Sequence, residues 1–182
     1  MANLNQILVD VNAYLDLSAV APTGTDLTTR ANYANQAVTE AASTAQFPEF
    51  HNIYQVDPST LASISLPANF RELMAPPRQQ LSTGGWSVPF EEIRPLERFD
   101  KNSTDKYCYV LGNPAGGYTA IFNGLTASAT LSIDFQRYPS GLLTLTDVCE
   151  LSDSSFVTTR TEAYVLESRN NDRFPVVKAD AN

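Results

Sequence analysis

Apolar and polar residues change their spacing twice along this chain, and the changes mark out its elements. Over residues 4 to 17, Leu4, Ile7, Leu8, Val11, Tyr14 and Leu15 recur at helical intervals, with Asp10, Asn12 and Asp16 elsewhere. That pattern predicts an amphipathic helix. "APTGTD" then breaks it with Pro22 and Gly24. Thr25 or Asp26 is a suitable cap for a second helix running to about Gln46. Its repeating face is small: Ala31, Ala34, Ala37 or Val38, Ala41 and Ala45. Such a stripe lets another helix come close while burying little area, and suits either a helix hairpin with an alanine seam or an oligomer face. Pro48 in "FPEF" disfavours helical backbone at Phe47 and ends this part.

From here the period is two. Tyr54 and Val56 predict a short strand, and Ala62, Ile64 and Leu66 another. In "LPANFREL", Pro67 removes a backbone donor and residues 69 to 73 read as a turn or single helical loop, the joint at which the chain leaves its helices for a sheet. Residues 74 to 89, rich in Pro and Gly, predict an exposed loop able to reach a partner. "FEEIRPLERFD" suggests a short helical segment with Ile93 and Leu96 turned inward. Four strand candidates follow, "KYCYVLG", "GYTAIFNG", "ATLSIDF" and "GLLTLTD", spaced as in an antiparallel meander. After Asp153 or Ser154 the helical period returns through "FVTTRTEAYVLESR", with Phe156, Val157, Ala163, Tyr164 and Leu166 near helix spacing.

The order helix, helix, strands, helix predicts an α+β fold. An N-terminal helical hairpin and a C-terminal helix form a framework that carries an inserted antiparallel β module, a small sandwich or meander. The expected divisions are 1–50 for the N-terminal helices, 51–150 for the β module, and 151–182 for the last helix and a tail packing on the first two.

Composition narrows the function. The chain of 182 residues is 18% charged, below the ~25% of ordinary domains, and its net charge is −8. Without a cationic run it is poorly suited to grip a nucleic-acid backbone, although it could stand beside DNA without holding it. The N-terminus lacks a signal-peptide pattern, and no stretch approaches the ~18 apolar residues of a membrane span, so the expectation is a protein made and kept in the cytoplasm. Cys108 and Cys149 sit in separate strand-like segments and are expected as buried free thiols, with a disulfide the alternative.

Candidate chemistry is sparse. One histidine, His51, and two distant cysteines are too few for a structural zinc site. "GNPAGG" (112 to 117) lacks a following Lys-Ser/Thr and feeds a strand, so it reads as a hairpin turn instead of a phosphate loop. The acid pairs Glu91–Glu92 and Glu150 with Asp153 could serve glycoside hydrolysis only at a working separation that sequence does not provide. Trp86, the single tryptophan, could stack on a sugar or anchor its loop, and with Tyr107 and Tyr109 it frames a carbohydrate- or receptor-binding alternative. No catalytic residue, cofactor or metal site is assigned, and no enzyme is expected.

Three stretches carry a resemblance: "RANYANQAVTEAASTAQFPEF", "ISLPANFREL", and "EIRPLERFD" followed by a Tyr-rich strand, a hairpin and "LSIDFQRYPSGLLTLTD". In this order, over most of residues 25 to 174, the chain resembles the head-to-tail adaptor (connector, or neck) proteins of tailed bacteriophages. The resemblance implies a structural virion protein of the head–tail interface, present in host cytoplasm during assembly. It implies a homo-oligomeric ring, dodecameric as a rule, between the portal and the tail or nozzle proteins, with DNA passing through its lumen unbound. A tail-completion or terminator protein is the alternative in the same setting. Family members often end in a longer helix, whereas this sequence stops at "VVKADAN". The interface candidates are Arg160, Arg169, Arg173 and Phe174, on the last helix and its exit.

Overall fold

The computed structural model describes residues 1–15, 17, 20–58, 62–127 and 129–169. The fold is α+β, as expected, with three α-helices and two sheets among the described residues. The chain forms two compact units: His51–Tyr138, and Met1–Phe50 together with the chain from Pro139 onward.

The helical unit contains α1 (Leu4–Tyr14), α2 (Gly24–Thr44) and α3 (Ser155–Ser168). Asn3 caps α1, its side chain accepting from the Gln6 amide at 2.9 Å. Neither Thr25 nor Asp26 caps α2; the helix begins at Gly24, where φ is +59°, behind Thr23. The expected hairpin of α1 on α2 is a minor contact, and both helices lie chiefly against α3. On this central helix Val157, Ala163, Val165 and Leu166 are buried, and so are Thr158, Arg160, Thr161 and Glu162. Its buried Thr161 is satisfied locally, donating its hydroxyl to the Val157 carbonyl at 2.6 Å. The alanine stripe of α2 goes into the unit's own core, with Ala31, Ala34, Ala37 and Ala41 buried beside Leu4, Leu8 and Phe50. Only Ala45 of that set stays exposed.

"GLLTLTD" is not a strand, and residues 139 to 150 belong to the helical unit, not to the β module. Its alternation is misleading because the Asp147 carboxylate accepts from the Leu143 and Thr144 amides, each at 2.7 Å, and folds the stretch into a turn. The segment is held twice more. Asn35 of α2 clasps Leu142, donating to its carbonyl at 3.0 Å and accepting from its amide at 2.7 Å. The amides of Leu4 and Asn5, which have no partner within α1, donate to the carbonyls of Asp147 and Leu145 at 2.9 and 3.0 Å.

The described residues of the β unit form eight strands: β1 (His51–Val56), β2 (Ser63–Ser65), β3 (Phe70–Leu73), β4 (Arg78–Gln79), β5 (Glu91–Glu92), β6 (Tyr107–Asn113), β7 (Gly117–Asn123) and β8 (Leu131–Arg137). One sheet runs β1-β8-β3, with β4 also pairing β8; the other runs β2-β7-β6-β5. Side chains from both sheets share one core, so the unit is a small sandwich. Phe70 stacks on Phe135 with ring centroids 5.6 Å apart, and Phe90 meets Phe122 edge-on at 5.2 Å. The third strand candidate therefore leaves the meander and centres the opposite sheet. The module is not wholly antiparallel, since β5 pairs β6 in parallel.

"SISLPANFREL" is a corner of this sandwich, not the exit from the helices, which lies at Phe50–His51. Ile64 and Leu66 face the core, the Phe70 amide donates to the Pro67 carbonyl at 2.9 Å, and the chain re-emerges as β3 in the other sheet. "FREL" is thus a strand, bulged between Phe70 and Glu72. "FEEIRPLERFD" likewise divides into β5 and a 3-10 turn at Glu97–Asp100. Ile93 is buried, but Leu96 points outward.

Candidate functional site

The interface candidates occupy different settings. Arg160 is a correction, because it lies inside the helical unit instead of on its surface. Its Nε donates to Glu40 Oε2 at 2.7 Å and its second guanidinium nitrogen donates to Glu40 Oε1, a two-point pairing of α3 with α2. Tyr164 donates its hydroxyl to Glu40 Oε2 at 2.6 Å and places its ring 5.3 Å from the guanidinium carbon. The hydrogen bonds to Glu40 hold the guanidinium more firmly protonated than usual, while burial, then the Glu40 hydrogen bond, push the Tyr164 phenol above its ordinary value. Arg169 is exposed at the end of α3. Arg173 and Phe174 lie outside the described residues.

Glu40 escaped the sequence reading, although a signal was present. It borders the Ala37–Ala41 stripe on α2, and Arg160 stands three residues from both Val157 and Ala163 on α3. A charge beside an apolar face on each of two helices is the pattern of a buried pair. A second missed network is Arg30–Asn12. Arg30 is buried, donates to the Asn12 side chain and pairs with Asp26 at 3.0 Å. Asn12 in turn donates to the Val20 carbonyl at 2.7 Å, tying the link after α1.

The acid pairs are engaged in structure. Glu91 takes Lys101 on both oxygens at 2.7 Å, and Glu150 accepts from the Ser140 amide and hydroxyl at 2.9 Å each. Asp153 accepts from the Ser155 amide at the start of α3, which holds its carboxyl below the ordinary value. Among the described residues no group of three His, Cys, Asp or Glu side chains could hold a metal, and no helix is long and apolar enough to cross a membrane. His51 is exposed at the head of β1. Cys108 and Cys149 are free and buried, one in each unit. Burial pushes the Cys108 thiol up to about 12.

"GNPAGG" closes the β6–β7 hairpin, with Asn113 Oδ1 accepting from the Ala115 and Gly116 amides at 3.0 and 2.7 Å. The 74–89 loop is partly ordered by β4 and by a bridge between Gln80 and Trp86. Beside it is a depression of about 450 Å³ whose wall includes Gln79, Lys106 and Thr130. The Gln79 amide is already committed there, donating to the Thr126 and Ala129 carbonyls and accepting from the Thr126 amide.

The stretch from 88 to 99 of the β unit carries three strongly exposed apolar side chains. Val88, Leu96 and Phe99 are 74%, 79% and 74% exposed. Arg98 stacks its guanidinium 4.7 Å from the Phe99 ring. Exposed apolar side chains in one stretch, with an arginine among them, have the composition of interface anchors.

No protein-family model matches the chain, and no curated protein has a matching sequence.

Proposed function

We propose that this protein is a head-to-tail adaptor of a tailed bacteriophage, a structural protein that assembles as a ring between portal and tail and lets DNA pass through its lumen. The observation that carries the reading is the interruption of one helical unit by a β-sandwich. Residues up to Phe50 and from Pro139 share a core, and the sandwich between them closes on a core of its own. This arrangement supplies a rigid base and a separately folded module to engage a second partner, with Val88, Leu96 and Phe99 already outward. A net charge of −8 fits a lumen in which DNA slides, because phosphate contacts from lysine or arginine would retain it. The site of action is then the virion neck, reached from host cytoplasm during assembly.

The test is reconstitution. Purified protein mixed with portal rings is expected to co-sediment and to add a ring of density below the portal in negative-stain images. Protein that stays in the supernatant with portal, and instead decorates purified tail tubes, overturns the assignment.

A further inference from the structure

The outer face of the sheet built on β8 presents a polar depression with one aromatic wall. Leu131, Ile133 and Phe135 turn into the core, so Ser132 and Asp134 face outward. The register sets Gln55 of β1 and Arg78 of β4 on either side of Ser132, with Ile53 beside Asp134. Trp86, 45% exposed, closes one side, and the space enclosed is about 320 Å³. That lies at the lower end of the ~300–1,000 Å³ of small-molecule sites.

The side chains are unusual in what they leave unmade. Arg78 and Asp134 share this face, yet neither takes part in an ion pair among the described residues. Ser132 is the direct cross-strand neighbour of Arg78, which leaves Asp134 on the diagonal, roughly 7–8 Å away in a regular sheet. A ligand lying between them meets a carboxylate acceptor on one side and a guanidinium donor on the other. An anion would be opposed by Asp134 and a cation by Arg78. An extended peptide cannot pair with β8 at the floor of the depression, because β8 is already flanked by β1 on one side and by β3 and β4 on the other. A neutral ring with hydroxyls at its rim and one apolar face satisfies every group present.

We infer that this depression is a binding site for a neutral saccharide. One pyranose ring lies against Trp86, its hydroxyls donating to Asp134 and accepting from Arg78 and Gln55. The site belongs to the β unit alone and is independent of the ring-forming role proposed above.

Because Trp86 is the only tryptophan, its emission, excited selectively over tyrosine, reports this site. The intact protein is titrated with maltohexaose, cellohexaose and N-acetylchitohexaose, each to about 10 mM, a range suited to weak single-ring contacts. At least one is expected to give a saturable change in emission. Asp134→Ala should weaken that binding at least tenfold with an unchanged thermal midpoint. Arg78→Ala, at an exposed position, serves in its place if the first variant does not fold. Saturation-transfer NMR observed on the sugar gives a readout free of the fluorophore and should lose its signal in Trp86→Ala. Absence of a saturable change with all three sugars overturns the inference, as does wild-type affinity in the folded variants.

Discussion

Removing the Glu40 carboxylate should unfasten α2 from α3. Glu40 takes the Arg160 guanidinium on both its oxygens and the Tyr164 hydroxyl on one. The Arg160 side chain is only 10% exposed, whereas Glu40 is 31% exposed. Breaking a fully buried pair costs about 3–5 kcal/mol, because the remaining charge stays desolvated, while an exposed pair contributes about 0.2–1 kcal/mol. Water reaches the Glu40 end and can hydrate part of what is left, so Glu40→Ala is expected to cost about 2–3 kcal/mol. Arg160→Met keeps the volume of the stem and removes the charge, and should cost less, ~1 kcal/mol or under. The double variant Glu40→Ala/Arg160→Met should then be more stable than Glu40→Ala alone. Urea unfolding of the four proteins, monitored by far-UV circular dichroism because the lost contacts join helices, gives the coupling energy directly. A coupling below about 0.5 kcal/mol would show that the pair behaves as a surface contact, and the reasoning from burial would be wrong.

Gly112→Ala should be severely destabilising, by more than ~2 kcal/mol, since an added Cβ meets the Gly117 carbonyl oxygen at 2.1 Å at a φ of +125°; thermal unfolding within a degree or two of wild type would refute it. Ala37→Leu should cost about 1–3 kcal/mol by overpacking the core around α2, and an unchanged urea midpoint would contradict the placement of that face. The Asp147 carboxyl is held below its ordinary 3.8 chiefly by backbone hydrogen bonds from Thr144 and Leu143. Its stabilising contribution is therefore complete above pH 3.8 and is lost as pH falls through the lower folded-state value, so the stability gap to Asp147→Ala should close on acidification. A gap that persists to about pH 2 would count against that role. Cys108 and Cys149 should both resist Ellman's reagent in native buffer and react together on denaturation, because burial disfavours each thiolate.

The sequence by itself determined the fold class, the three helices, the main hairpin and the burial of both thiols. Those features rest on local periods and on chain-breaking residues, and such signals need no partner to be read. It misjudged the stretches whose local pattern a distant contact overrides. "GLLTLTD" alternates like a strand, yet Asn35, the first amides of α1 and its own Asp147 draw it onto the helices. "FREL" follows a proline as a turn would, yet β8 was there to pair with it. Arg160 was an interface candidate on the last helix, yet α2 brings Glu40 to it across 120 residues of sequence. The Trp86 depression is of the same kind: Gln55, Arg78 and Asp134 have no spacing in common, and only the register of three strands makes them neighbours. Cross-strand register and helix–helix pairing are long-range properties, set by which cores close together, and so they became legible only in the tertiary structure.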